Sequence, residues 1–134
     1  MAEGLAGALS VYLDTHVAAW LHDGLITRIS TEGKRQIEAN DLLISPMLLL
    51  ELQYLFDRKR IAVEPLALYN YLNGTFGVQL CDYPFSAVAM EALTLNWTND
   101  PFDRLLVGQA KANHGSPLIT ADLVIRQNYS GAVW

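Results

Sequence analysis

Short apolar runs suited to strands alternate along this chain with stretches patterned for helices, and that alternation restricts the fold more than any other feature. Leu9–Asp14 reads as a first strand, followed by a short helix from His16 to about Asp23. A polar helix around Thr31–Ala39 leads into a second strand, Asp41–Ser45. Ser45 suits an N-cap and Pro46 the first helical position, so a helix is expected from Pro46 to about Lys59. A helix over Pro65–Asn73 is expected to end at Gly74, with Val78–Cys81 as the third strand and Ser86–Leu95 as the next helix. Asp100 and Pro101 open a helix that reaches about Asn113 and stops near Gly115. Pro117–Thr120 is a fourth strand, Leu123–Gln127 a short helix and Ala132–Trp134 a short fifth strand. Strands that alternate with helices pair in parallel through right-handed crossovers, so the expected class is an α/β sandwich.

With 134 residues the chain makes one domain, residues 1–134, long enough for a real core and too short for two. Met1–Ala8 is small and weakly patterned and reads as an extension outside the fold; it lacks the basic start and apolar stretch of a signal peptide. No apolar run approaches the roughly 18 residues that span a membrane. The single Cys81 falls in a strand, where a buried inert thiol is expected, and one cysteine without an export signal points to the cytoplasm. The net charge of −5 argues at first against nucleic acid. It weakens as an argument if several acids hold a cation, because a divalent ion reverses the local field.

Four carboxylates stand next to apolar sequence: Asp14 in Val-Tyr-Leu-Asp-Thr-His, Glu51 in Leu-Leu-Leu-Glu-Leu, Asp103 in Asp-Pro-Phe-Asp-Arg-Leu-Leu, and Asp122 in Leu-Ile-Thr-Ala-Asp. Without them, ten acids face nine bases. Acids rarely sit in such surroundings unless something pairs with them, and basic residues are scarce beside these, so a bound cation is the economical explanation. Asp14 and Asp122 fall at strand C-termini, where sites form in open α/β sheets. Glu51 is expected on the apolar face of its helix beside Met47, Leu48, Tyr54 and Leu55, opposite Gln53 and Asp57; a salt bridge to Arg58 or Arg104 is the alternative. Asp100 suits the N-cap before Pro101, leaving Asp103 as the ligand and Asp100 as a supporting or substitute group. Asp14 and Asp122 could likewise be no more than helix caps. Thr15 and Thr120 add hydroxyls at the same edge, suited to orienting ligands or a water.

Other chemistries lack their residues. His16, His22 and His114 share no zinc-ligand spacing and there is no cysteine pair, although His16 beside Asp14 could support the site. Gly-x-Ser-x-Gly and Gly-rich phosphate loops are both absent.

Taken together, Leu-Asp-Thr-His-Val-x-x-Trp-Leu, Ile-Ser-Pro-Met-x-x-x-Glu-Leu-x-Tyr-Leu, Asp-Pro-Phe-Asp-Arg-Leu-Leu-Val-x-Gln-Ala and Leu-Ile-Thr-Ala-Asp resemble, in order, the motifs of PIN-domain proteins. They look specifically like VapC-type toxins of type II toxin–antitoxin pairs, from about Val11 to Trp134. The resemblance implies a three-layer α/β/α sandwich on a parallel sheet of four to five strands. It also implies Mg²⁺- or Mn²⁺-dependent endoribonuclease activity, a homodimer, and inhibition by a small partner antitoxin. Its acidic ligands carry over onto Asp14, Glu51, Asp103 and Asp122. A histidine common just before the Asp-Pro-Phe-Asp block is replaced here by Trp97, Thr98 and Asn99.

The mechanism expected from the charges has Asp14 and Asp103 ligating directly, while Glu51 and Asp122 ligate through water or hold and deprotonate the attacking water. RNA needs cations outside the acids: Arg58, Lys59 and Arg60 are the first candidates, then Arg104, Lys111 and Arg126. Trp20, Tyr54 and Phe102 are candidates for base stacking. Two rival readings are a non-catalytic module whose acidic pocket docks an arginine of a partner protein, and a phosphotransfer domain with Asp14 as nucleophile.

Overall fold

The computed structural model describes residues 10–134. The chain forms β1 (Ser10–Leu13), α1 (Thr15–Asp23), α2 (Thr31–Ala39), β2 (Asp41–Ile44), α3 (Pro46–Asp57), α4 (Pro65–Phe76), β3 (Gln79–Leu80), α5 (Phe85–Ala92), α6 (Pro101–Ala112), β4 (Leu118–Ile119), α7 (Leu123–Asn128) and β5 (Ala132–Val133). The extension expected at Met1–Ala8, and Leu9 of the first expected strand, lie outside the described residues.

The five strands form one sheet in the order β3-β2-β1-β4-β5, and every pair is parallel. From β1 the chain moves outward to β2 and β3, then returns past β1 to β4 and β5. Right-handed crossovers put their helices on one face when the chain moves one way and on the other face when it reverses. Alternation along the strands shows both faces filled. Val11 and Leu13 of β1 share a core with Leu42, Ile44 and Ile119 and with Val17, Leu48, Leu52, Leu68 and Leu72 of α1, α3 and α4. Tyr12, Leu118 and the half-buried Leu43 point the other way, to Val107 and Ala110 of α6 and Ile125 of α7. The result is the three-layer α/β/α sandwich, held by apolar transfer worth about 2 kcal/mol for each fully buried leucine or isoleucine.

α5 is held against α6 at Gly108, where an added Cβ would come within 3.1 Å of the Val88 carbonyl oxygen and 3.2 Å of the Ala92 nitrogen. Glycine is present there because two backbones meet.

Several boundaries differ from those expected. α4 runs through Gly74 and ends at Gly77 (φ 70°), whose N–H reaches the Asn73 carbonyl. The extra turn lets Phe76 pack against the first core, which outweighs the roughly 1 kcal/mol cost of a glycine inside a helix. α3 ends at Asp57 rather than Lys59. There Lys59 adopts φ 59° and the Arg60 N–H returns 2.8 Å to the Leu55 carbonyl, turning the chain sharply. α5 begins at Phe85 and ends at Ala92, and the Thr94 hydroxyl donates to the Glu91 carbonyl at 2.7 Å just past its end. A turn of 3₁₀ helix at Ile26–Arg28 was not expected. Tyr54, expected on the apolar face of α3, is 46% exposed, while Leu48, expected there too, is buried together with Leu52.

Candidate active site

Strand order reverses between β1 and β4, and open α/β sheets form their crevices beyond the strand C-termini at such a point. Asp14 is the first residue after β1 and Thr120 the first after β4. The Thr120 hydroxyl donates to Asp14 Oδ2 at 2.6 Å, while Oδ1 accepts the Thr15 N–H at 2.7 Å. Asp14 is only 7% exposed. Burial pushes its carboxyl above the usual range, against the pull of the Thr120 and Thr15 hydrogen bonds.

Glu51 reaches the same place from the second turn of α3. Its Oε1 accepts the Thr15 hydroxyl at 2.6 Å, so Thr15 bridges the two acids with its backbone and side chain. Burial raises the Glu51 carboxyl; Thr15 opposes that shift, and Asp14 and Asp100 add to it. The salt-bridge alternative fails, since no basic side chain among the described residues pairs with Glu51. Arg58 lies over the Tyr54 ring, 4.3 Å from its centroid. Arg104 donates from Nε to the Thr98 carbonyl at 2.8 Å and from Nη1 to the Ala92 carbonyl at 3.4 Å.

The remaining acids come from helix N-termini, which parallel topology brings to this edge. Asp100 caps α6, its Oδ1 accepting the N–H groups of Phe102 at 2.8 Å and Asp103 at 3.2 Å. Asp122 caps α7 through Ile125 N–H at 3.0 Å, and its own N–H donates to Thr120 Oγ1 at 3.0 Å. Capping therefore explains Asp100 and one oxygen of Asp122. It does not explain Asp103, whose carboxylate receives no hydrogen bond among the described residues. Burial, followed by Asp100, Asp122, Asp14 and Glu51, pushes its carboxyl up to about 7.

All the acids singled out in the sequence thus meet at one edge. Among the described residues, however, no three His, Cys, Asp or Glu side chains converge to ligation distance. Asp14, Asp100 and Asp122 each have an oxygen turned back to a backbone N–H, and Glu51 is drawn to Thr15. The donor set is purely carboxylate, no lysine or arginine among the described residues pairs with it, and at least three of its carboxyls are raised. That chemistry fits a hard divalent ion such as Mg²⁺ or Mn²⁺.

Thr98, within the segment that departs from the PIN pattern, leads into α6: its hydroxyl accepts the Asp100 N–H at 3.1 Å and its carbonyl holds Arg104. Among the candidate cations, Lys111 lies 3.9 Å from Glu91, Lys59 occupies the left-handed turn, and Arg126 is in the last turn of α7. Tyr54 and Phe102 lean together with centroids 6.1 Å apart beside Glu51 and Asp103. Arg28 was missed by sequence reasoning: it and Arg60 line the same cavity as Thr15 and His16, and no spacing signal places Arg28 there.

Among the described residues, no helix is long and apolar enough to cross a membrane. No curated protein sequence matches the chain significantly. In structure, the chain is similar to one from the crystal structure of VapBC2 from Rickettsia felis bound to a DNA fragment from their promoter, with a TM-score of 0.61 at 14% identity, covering 93% of this chain and 96% of that one. The model of the PIN domain matches residues 11–130, and the chain belongs to the PIN-domain family.

Proposed function

We propose that this protein is a divalent-metal-dependent endoribonuclease, using Mg²⁺ with Mn²⁺ as a substitute, that hydrolyses RNA phosphodiester bonds as the toxin of a toxin–antitoxin pair. A small partner protein would inhibit it, and a homodimer is the expected assembly. The observation that carries this reading is Asp103. Among the described residues its half-buried carboxyl has no hydrogen-bond donor, and burial together with four other carboxylates raises it, an arrangement that lacks a structural purpose and suits cation binding. PIN-family membership and the structural likeness to a VapBC2 chain support the nuclease and partner parts of the reading.

Asp14 and Asp103 would hold the ion directly, with Glu51 and Asp122 ligating through water. When bound, a divalent ion supplies charge neutralisation at the scissile phosphate and at the leaving oxygen. The protein's own groups do the rest. Thr120 and Thr15 fix Asp14 from both sides, so its position does not depend on the ion. Thr15 immobilises one oxygen of Glu51 and leaves the other to accept a proton from the attacking water, a task that its burial-raised carboxyl suits better than an ordinary glutamate would. Water oxygen then bonds to phosphorus as the bond to the leaving oxygen breaks.

The test compares wild type with Asp14→Asn on total RNA with Mg²⁺, with Mn²⁺ and with EDTA. Metal-dependent cutting that drops by orders of magnitude in the variant is expected. Normal cutting by Asp14→Asn would refute the assignment. If the folded wild type cuts nothing and calorimetry shows no divalent binding, the acidic pocket is a docking site instead.

A further inference from the structure

We infer that the groove along α1 is the track for the RNA strand, and that Arg28 and Arg60 hold a backbone phosphate at the end away from the acids. The inference rests on the ribonuclease reading and adds to it the path and the form of the substrate. A cavity of about 210 Å³ is lined by Thr15, His16, Ala19, Trp20 and Asp23, which are successive turns of one α1 stripe, together with Arg28 and Arg60. At its near end Thr15 hydrogen-bonds Glu51 and adjoins Asp14. At its far end, roughly 12 Å along the helix by its 1.5 Å rise per residue, stand the two arginines.

Neither the Arg28 nor the Arg60 guanidinium has an ion pair or hydrogen bond among the described residues, unlike the side chains of Arg35, Arg104 and Lys111. Asp23, the acid nearest them in the groove wall, is engaged by His22 Nδ1 at 2.8 Å. Arg60 is aimed by the left-handed turn at Lys59, a conformation an L-residue adopts only at a cost. Between the two ends, His16 and Trp20 lie with ring centroids 6.1 Å apart, and Trp20 is backed by Trp134 at 6.2 Å. Carboxylates, then aromatic rings, then unpaired guanidiniums match a single strand laid along the helix: one phosphate at the acids, a base against the rings, a further phosphate on the arginines. A duplex keeps its bases paired and stacked, away from the rings.

The experiment measures binding of a mixed-sequence single-stranded RNA oligonucleotide, and of the same sequence as a duplex, by fluorescence anisotropy across a salt series. It uses Asp14→Asn protein carrying no further change, Arg28→Ala, Arg60→Ala or Arg60→Lys. Cleavage by otherwise wild-type protein with the same arginine changes is followed in Mg²⁺. The expected results are preference for the single strand, weaker binding with each alanine, and a log–log salt slope shallower by about 0.7 for each phosphate the protein no longer neutralises. Arg60→Lys should restore most of the binding, and the alanine variants should raise KM while kcat stays within about twofold. Unchanged affinity, slope and KM in both alanine variants would overturn the track while leaving the ribonuclease reading intact. If wild type cleaves RNA and the alanine changes weaken only binding of an acidic partner peptide, the arginines belong to a protein interface and the track is refuted. Protein that neither binds nor cuts RNA removes both readings.

Discussion

Replacing Asp103 by Asn should stabilise the metal-free protein at neutral and alkaline pH and leave its stability unchanged in acid. The carboxyl accepts no hydrogen bond among the described residues, so Asn of the same shape removes charge without breaking one. In the folded protein the group titrates near 7 because of burial and the surrounding acids, whereas in the unfolded chain it titrates near the ordinary value of 3.8. Below the unfolded value both states are protonated and the group costs nothing. As pH rises from about 4 to about 7 the unfolded state releases its proton first, so stability falls through that window and levels off above it. The whole difference would amount to roughly 4 kcal/mol at 1.36 kcal/mol per pH unit. Because the carboxyl is only half-buried, solvent screening reduces this to roughly 1–2 kcal/mol. In a chain of this size that raises the melting temperature by about 5 °C. The assay is thermal unfolding of wild type and variant in EDTA from about pH 4 to about pH 8. Equal melting temperatures at about pH 8 would show that Asp103 is not destabilised by its neighbours. A gap that persisted at about pH 4 would show that the gain is not electrostatic.

Three further outcomes test the fold around the site. Thr120→Val removes the hydroxyl that donates to Asp14 and accepts from the Asp122 N–H, so it should cost about 2–3 kcal/mol in urea unfolding, with most of it recovered by Thr120→Ser. Gly108→Ala pushes a methyl between α5 and α6; overpacking of roughly 1–3 kcal/mol exceeds the roughly 1 kcal/mol gain in helix propensity, and calorimetric melting should show a net loss. Lys59→Gly relieves a left-handed residue at a cost in unfolded-chain entropy, for a net gain of about 0.5 kcal/mol in the same melts.

The order of elements was legible because the strands are short and several helix starts are marked clearly by sequence: Ser45-Pro46, Asp100-Pro101 and Asp122 all cap where expected. Parallel pairing followed from the alternation, and the strand order followed from nothing local. Crossing back from β3 to β4 is what puts Thr120 beside Asp14, and no feature of either segment announces that meeting. Helix ends were harder to read, since Gly74 and Gly77 carry the same local signal and only the packing of Phe76 selects between them. The acids stood out because their neighbours are apolar. Their shared hydroxyl bridges, Thr15 to Glu51 and Thr120 to Asp14, depend on tertiary geometry, as does Arg28 entering the groove.

Capping and cation binding draw on the same helix ends, and their balance sets how the site responds to protons. The N-termini of α1, α6 and α7 meet at this edge, each equivalent to about half a positive charge, which gives roughly 1.5 charges against the carboxylates of Asp14, Glu51, Asp100, Asp103 and Asp122. The dipoles cover less than a third of that charge, so protons or a cation must cover more, and the two compete for the same oxygens. Mg²⁺ uptake at about pH 6 should therefore expel a proton from the carboxyl of Asp103, which is pushed up to about 7, and uptake at about pH 8.5 should expel far fewer. Titration calorimetry in two buffers of different ionisation enthalpy measures this directly. The apparent enthalpies should diverge at the lower pH and coincide at the higher one, with the divergence reduced in Asp103→Asn. Buffer-independent heats at about pH 6 would mean that the ion does not displace protons from these acids, and Asp103 would lose its place as a direct ligand.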